Sequence, residues 1–238
     1  MGVLYNASGE KHSVSASISS PISMCCWARL AADRNTYTGF VSYDDASSNY
    51  AFIGTWSDGT QSRFFTSGVE QNGPAMTIGD WYFFAYNFTN GTNTKAAYAA
   101  HVNDANVTDY SFTANANIPA SGTLILGNTG FGDWMNGTLM AVKVWSGVAL
   151  SQAEFEAERW FITPQRTDNL YAWYPLDDGV ISTTDYSGNG RTLTAAGTPT
   201  VDDNPPITRY RKVKGLYVPA GGAPPAPNVD GKFFAFFN

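Results

Sequence analysis

Charged side chains are scarce in this sequence. Asp, Glu, Lys and Arg make up 14% of its 238 residues, whereas roughly a quarter is usual in soluble domains. Acidic residues outnumber basic ones by 20 to 14, which gives a formal net charge of -6. A nucleic-acid-binding protein needs a basic surface to neutralise phosphates. The composition therefore argues against a nucleic-acid partner, and its 43% of hydrophobic residues argues against disorder.

Long apolar runs and a secretory signal are also missing. No stretch approaches the roughly 20 apolar residues of a transmembrane helix. The first residues, MGVLYNASGEKHS, lack the basic start and the apolar core of a signal peptide. We therefore expect no membrane partner and no export by the general secretory route.

Cysteine and catalytic motifs are sparse too. Cys25 and Cys26 are adjacent, so a strand would send their side chains to opposite faces, and we interpret both as small buried hydrophobic residues. His12 and His101 have no nucleophile motif nearby, and no phosphate-binding loop or zinc-protease motif occurs. The acidic cluster EFEAE, 154–158, is interpreted as the solvated face of a helix. The sequence thus predicts no catalytic residues and no enzyme.

What is present is the pattern of an all-β protein. Apolar and aromatic runs are separated by Gly, Asn, Asp and Pro clusters at spacings of about 8 to 15 residues. One helix is predicted from Ser151 to about Trp160, because Ser151 and Glu154 have the spacing of a capping box. The predicted strands cover 22–30, 38–43, 50–55, 63–67, 81–88, 96–102, 123–127, 138–145, 170–176 and 192–195.

The run from Trp81 to Phe88 is apolar on both of its faces. Alternate side chains point to opposite faces of a strand, and WYFFAYNF carries aromatic residues at odd and even positions. Such a strand is covered on both sides. We therefore expect a second sheet to cover one face of this strand and another part of the protein to cover the other.

The sequence predicts two regions of different character. Residues 1–214 are expected to form one sandwich, completed by 170–200, because roughly 35 residues cannot build a core of their own. Residues 215–238, GLYVPAGGAPPAPNVDGKFFAFFN, form a Gly/Pro-rich extended tail. This tail ends in four phenylalanines, Phe233, Phe234, Phe236 and Phe237. Because exposed aromatic residues favour aggregation, we expect these phenylalanines to anchor the protein to a partner.

Several segments carry the motifs of one family of sandwiches. ISMCCWARL ends in a Trp followed by a basic residue, GDWYFFAYNF opens with Gly, any residue and Trp, and MNGTLMAVKVWSGVALSQAEF joins a strand to a helix start. In this order they resemble the concanavalin A-like jelly rolls of the laminin G type, over roughly residues 14–160. LYAWYPLDDG and DYSGNG also resemble that family, where they usually precede the early strand. The resemblance implies a two-layer antiparallel β-sandwich with one short helix.

The same resemblance bears on metals. Many relatives bind calcium through acidic residues at positions where this chain has Met140 and Ala141. Asp177, Asp178 and Asp185 remain near predicted turns, where aspartate commonly shapes the turn itself. A hard cation needs several oxygen ligands converging on one point. Calcium is therefore an alternative that the sequence does not favour, and we expect no metal and no other cofactor.

Two functions stay open at this point. The Glu-x-Asp-x-x-Glu strand of glycoside hydrolases with this fold is absent. Jelly rolls of this type resemble accessory proteins of phage capsids and tails, which predicts a non-enzymatic virion structural protein. It would be a capsid decoration or fibre protein on the virion surface, with a capsid protein, a tail protein or a second copy as partner.

The alternative is an extracellular carbohydrate-binding module for surface glycans. Loop tryptophans are able to stack on sugar rings, and nearby carboxylate and amide groups are able to bind sugar hydroxyls. The predicted glycan site consists of Trp56, Trp134, Asp133, Asn128 and Asn136.

Overall fold

The computed structural model describes residues 2–57, 59–177, 183–203 and 205. Within these ranges the chain forms sixteen strands and one helix, α1 (Gln152–Arg159). The strands are β1 (Gly2–Tyr5), β2 (Lys11–Ala16), β3 (Ile22–Leu30), β4 (Thr38–Asp44), β5 (Tyr50–Thr55), β6 (Gln61–Thr66), β7 (Val69–Ala75), β8 (Trp81–Phe88), β9 (Gly91–His101), β10 (Thr108–Asp109), β11 (Phe112–Ala116), β12 (Gly122–Leu126), β13 (Gly137–Ser146), β14 (Leu170–Tyr174), β15 (Thr194–Ala196) and β16 (Thr200–Asp202).

The strands form two antiparallel sheets. The nine-stranded sheet has the order β10-β9-β8-β3-β13-β1-β16, with β11 beside β9 and β14 beside β13. The seven-stranded sheet has the order β15-β2-β12-β4-β5-β6-β7. The prediction of an all-β, two-layer antiparallel sandwich with one short helix is confirmed. The predicted tail, 215–238, and the boundary before it lie outside the described residues.

The main core lies between the two sheets. Every second residue of β8, namely Tyr82, Phe84, Tyr86 and Phe88, points into it and meets side chains from the other sheet such as Phe40 and Phe64. Strand alternation is the reason, because one face of each sheet must be buried against the other. The segment 170–200 contributes to both layers, since β14 pairs with β13 and β15 pairs with β2.

A second core covers the outer face of the nine-stranded sheet. The remaining residues of β8, Trp81, Phe83 and Ala85, lie in it with Trp27, Trp145 and Phe155 of α1. The expectation that β8 is covered on both faces is therefore confirmed, and α1 with the segment after it is the additional cover. Cys26 lies in the main core and Cys25 in the second core, and both are free and buried, as predicted.

The helix is fixed at both of its ends. The Ser151 side chain accepts a hydrogen bond from the Glu154 amide and the Glu154 carboxylate accepts one from the Ser151 amide, which confirms the predicted capping box. At the other end, the Trp27 indole donates to the Arg159 carbonyl at 3.0 Å. With eight residues α1 is short, and no helix in the described ranges is long and apolar enough to cross a membrane.

The interpretation of 154–158 as a solvated face is wrong for Phe155, which lies in the second core, and for Glu158. Its carboxylate is buried and forms an ion pair with Lys143 Nζ at 2.7 Å. The same carboxylate accepts hydrogen bonds from the Gln165 and Arg166 amides, at 2.7 and 2.8 Å. Lys143 also donates to the carbonyls of Glu158 and Phe161. A buried charge is tolerated when it is paired and fully hydrogen-bonded, and here the partner comes from β13.

Met140 and Ala141 lie in a β-bulge of β13. The register with β3 shifts between Met140 and Lys143, and Ala141 has a φ of 52°, in the left-handed region that few non-glycine residues adopt. Before the bulge β13 pairs with β1, and after it with β14. The bulge thus marks the point where one neighbouring strand replaces another.

Six strands were not predicted: β1, β2, β7, β10, β11 and β16. They are short or rich in polar residues, for example KHSVSA in β2 and VEQNGPA in β7. Their strand conformation is stabilised by pairing with neighbours that contribute apolar residues to the core, such as β12 for β2 and β6 for β7. Such tertiary pairing overrides a weak local preference.

Candidate functional site

An aromatic groove lies on the outer face of the seven-stranded sheet, across β5, β6 and β7. Its volume is about 490 Å³. The lining residues are Tyr37, Ser47, Tyr50, Phe52, Trp56, Phe65, Thr66, Gly68, Val69, Glu70, Phe131 and Asp133. Six of these twelve residues are aromatic. The aromatic residues come from the neighbouring strands β5 and β6 and from the loops around them.

The six aromatic rings of this groove form one contiguous row. Phe131 meets Tyr50 edge-to-face with 5.3 Å between ring centroids, and Tyr50 lies 5.5 Å from Phe52. Phe52 and Phe65 stack at 4.1 Å in the middle. Beyond them Tyr37 is 6.1 Å from Phe65 and 4.7 Å from Trp56. Phe52 and Phe65 in the middle are buried, and Phe131 is half exposed. Because the rings support one another, the row is a preorganised apolar platform.

Strand alternation brings the central rings to this face. In β5 the residues Ala51 and Ile53 point into the main core, so Tyr50 and Phe52 point outward. Phe65 of β6 is the direct cross-strand partner of Phe52. Aromatic side chains directly opposite each other on neighbouring strands stabilise the pairing.

A rigid loop places Phe131 at one end of the row. The Thr129 hydroxyl accepts hydrogen bonds from the amides of Phe131 and Asp133 and donates to the Asp133 carboxylate. The Gly130 amide donates to the Asp44 carboxylate at 3.0 Å. A Cβ atom on Gly130 would lie 2.0 Å from an oxygen of that carboxylate, so only glycine permits this close approach. Phe131 is 47% exposed, and these hydrogen bonds hold its loop in place.

Charged groups lie at the other end. The Arg63 guanidinium is 3.8 Å from the centre of the Trp56 ring and pairs with the Glu70 carboxylate at 2.7 Å. Burial, followed by the charges of Glu70 and Asp133, raises the pKa of the Tyr37 phenol above its usual value. This phenol therefore remains a neutral hydrogen-bond donor at physiological pH.

Thr66 has a buried hydroxyl without a partner. The residue is 1% exposed and lines the groove, and its Oγ1 makes no hydrogen bond within the described part of the chain. Buried hydroxyl groups are normally hydrogen-bonded, because leaving one unpaired costs about 1–3 kcal/mol. Thr66 follows the outward-facing Phe65, and its cross-strand partner is the core residue Ala51, so its side chain points toward the main core and not into the groove.

The structure brings together only two of the five predicted glycan-site residues. Trp56 and Asp133 line the aromatic groove, whereas Trp134, Asn128 and Asn136 do not. The Arg34 guanidinium covers one face of Trp134 at 3.5 Å and donates to its carbonyl. Asn128 is buried, and its side chain bonds the Glu10 carbonyl and the Thr129 amide, which is a structural role.

Sequence reasoning missed most of the groove. It did not select Tyr37, Tyr50, Phe52, Phe65 or Phe131. A signal existed in β5, where YAFI is apolar at odd and even positions, as in β8. That pattern indicates a second covering layer on the outer face of β5, and here the layer consists of the aromatic rings themselves.

The aspartates considered for calcium have other partners or lie elsewhere. The Asp185 carboxylate accepts hydrogen bonds from the amides of Trp173, Ser187 and Arg191 and from the Ser187 hydroxyl. It therefore shapes its own turn, the role of aspartate in turns. Asp178 lies outside the described residues, as do Phe233, Phe234, Phe236 and Phe237. Among the described residues no three His, Cys, Asp or Glu side chains are grouped to hold a metal ion.

The fold of this chain is similar to that of known proteins. No family model and no curated protein matches the sequence. Among solved structures, the enzymatically active domain of tailspike protein 2 of bacteriophage CBA120 is similar, with a TM-score of 0.53 and 16% identity over 71% of this chain. The chain spans only 29% of that tailspike. A heptameric SAP-like pentraxin of Limulus polyphemus has a TM-score of 0.51 and 14% identity, over 82% of this chain and 89% of its own.

The tailspike domain and the pentraxin have the same kind of sandwich as this chain. At identities of 14% and 16% this similarity establishes a lectin-like jelly-roll fold and nothing about the chemistry of the groove, since one fold supports many functions.

Proposed function

We propose that this protein binds carbohydrate in the aromatic groove. The observation that carries the proposal is the contiguous row of six rings that lines the groove, with Phe131 half exposed at its end. Aromatic faces pack on the apolar faces of sugar rings. The Glu70 and Asp133 carboxylates and the Tyr37 phenol are partners for sugar hydroxyls.

A glycan array followed by calorimetry with the bound glycan tests this proposal. Phe131→Ala should weaken binding roughly tenfold, because it removes the most exposed ring of the row. Ile78→Ala is the matched control, since Ile78 is also 47% exposed but lies outside the groove. An array without any bound glycan, or equal affinities for both variants, would refute carbohydrate binding at this groove.

The absence of enzymatic activity stays a prediction. The same glycan, incubated with the protein and assayed for new reducing ends, should remain intact. Release of shorter products would show that the groove cleaves its ligand.

We further propose a virion role as the second function. Its support is the sequence of residues 215–238, whose phenylalanines would anchor the sandwich to a capsid or tail protein, and a bacteriophage tailspike contains a domain of this fold. Deleting residues 215–238 should abolish particle association and leave the far-UV circular dichroism unchanged. Full occupancy of the particle by the truncated protein would contradict this role.

A further inference from the structure

We infer that the ligand is an extended polysaccharide chain, which crosses the outer face of the seven-stranded sheet instead of inserting a terminal sugar. This inference rests on the proposed carbohydrate binding. It is carried by a second groove, which lies beside the aromatic groove on the same face of the same sheet.

The second groove is polar and larger than the first. Its volume is about 620 Å³. It lies over β2, β12 and β4, and its lining includes Lys11, Ser15, Asp44, Asp45, Ser121 and Thr123. Val14 and Ala16 of β2 and Leu124 of β12 belong to the main core. Ser15 and Thr123 therefore point outward, in the same direction as Phe52 and Phe65.

The strand register aligns the two grooves. Ser15 is opposite Thr123, Thr123 is opposite Asp44, and Asp44 is opposite Tyr50. These partners form one row perpendicular to the strands, from the polar groove to the aromatic groove. Two residues further along β5, Phe52 is opposite Phe65 of β6, and Phe65 is opposite Glu70 of β7. At the usual spacing of strands, the surface from β2 to β7 is about 24 Å wide.

Only a narrow ridge separates the grooves. In the β4–β5 turn Ala46 lines the polar groove and Ser47 the aromatic one. In the loop above it Gly130 lines the polar groove and Phe131 the aromatic one. Since consecutive residues face opposite grooves, a ligand that packs on Phe131 lies beside the opening of the polar groove.

The polar groove offers free hydrogen-bonding groups for such a chain. The side chains of Lys11, Ser15 and Thr123 have no hydrogen-bond or ion-pair partner within the described residues. A hydroxyl or an ammonium group donates to the hydroxyl and ring oxygens that every unit of a polysaccharide presents. A single terminal sugar would occupy one groove and leave these groups unused.

The test is a size series of one glycan. The polysaccharide identified by the array is partially hydrolysed, and purified fragments from disaccharide to octasaccharide are titrated by calorimetry. We expect the affinity to rise with length by about tenfold or more. The double variant Ser15→Ala/Thr123→Val should weaken binding of the octasaccharide and leave the disaccharide unaffected, whereas Phe131→Ala should weaken both.

Thr113→Val is the control, since Thr113 is an exposed residue of β11 in the other sheet. Equal affinities across the size series, with no effect of the double variant, would overturn the extended-chain inference and leave carbohydrate binding standing. Binding of no fragment and no array glycan would overturn both. If the double variant weakened binding of the octasaccharide and Phe131→Ala did not, the polysaccharide chain would bind elsewhere. This result would also overturn the inference.

Discussion

The two outer faces of this sandwich are both aromatic, but they are covered differently. On the nine-stranded sheet Trp27 and Trp145 are buried under α1, and Lys143 pairs with Glu158 beneath it. On the seven-stranded sheet Phe52 and Phe65 are covered by other rings of the same face, and Phe131 remains half exposed. The first face is closed by the chain itself, and the second is open.

We expect the closed face to contribute to stability and the open face to contribute to binding. A face closed by packed chain contributes buried apolar area to folding, so its residues should affect the free energy of unfolding. An open face with preformed grooves contributes less to folding and is suited to a ligand. The following four predictions test this division, from the largest expected effect to the smallest.

Breaking the ion pair of the closed face should have the largest effect. Lys143→Met leaves Glu158 buried and charged without its partner, and such a loss costs about 3–5 kcal/mol. The free energy of unfolding is measured by urea titration. Lys143→Met/Glu158→Gln should recover much of the loss, because it removes the unpaired charge. A stable single variant would show that the ion pair contributes little to closing this face.

Acid should destabilise the protein through His12, beneath the open sheet. His12 is buried and bonds the Tyr5 phenol at 2.8 Å, and burial lowers its pKa from 6.5 to about 4. Between these pH values the unfolded chain binds a proton that the folded protein does not. The stabilisation is complete above pH 6.5 and is lost toward pH 4, by about 3 kcal/mol.

Urea titrations at pH 7 and pH 4 measure this dependence. His12→Gln should reduce the difference between the two pH values, because glutamine does not titrate. An equal pH dependence in both proteins would assign the acid effect to other groups.

Removing the helix cap should loosen the closed face modestly. Ser151→Ala leaves the Glu154 amide without its acceptor, and loss of an N-cap typically costs about 1 kcal/mol. Thermal unfolding measures the change, with Ser48→Ala in an exposed turn as control. Carbohydrate affinity should be unchanged, because α1 lies on the opposite side of the sandwich.

The smallest effect on stability is expected beneath the open face, at Thr66. Thr66→Val removes a buried hydroxyl that has no partner, so the free energy of unfolding should stay within about 0.5 kcal/mol or rise. Thr55→Val is the matched control, because the Thr55 hydroxyl bonds that of Thr38 at 2.7 Å, and its loss should destabilise by about 1 kcal/mol. Equal destabilisation by both would mean that Thr66 Oγ1 has a partner in solution.

Local patterns in the sequence were sufficient to predict several elements. The aromatic run of β8 predicted a strand buried on both faces, and the Ser151–Glu154 spacing predicted a capped helix. Adjacent Cys25 and Cys26 predicted burial in two different layers. Each of these depends on residues close together in the chain and on a fixed period of side-chain direction.

The groove could not be predicted in this way, because its parts are distant in sequence. Tyr37 and Phe131 come from loops nearly a hundred residues apart, and they line one groove because β12 pairs with β4. Trp134 and Trp56 are both loop tryptophans with an arginine over the ring, but only Trp56 lines the groove. Which loop aromatic residue lines a groove therefore depends on where the fold places its loop.

The sequence by itself determined the all-β class, the strongest strands, the capped helix and the two-sided burial of β8, because alternation and capping are local properties of the backbone. Only the tertiary structure decided that Glu158 is buried, since its partner Lys143 lies on β13. It also decided that one outer face is closed by α1 while the other holds two aligned grooves. Strand register and loop packing set those juxtapositions, and no local pattern encodes them.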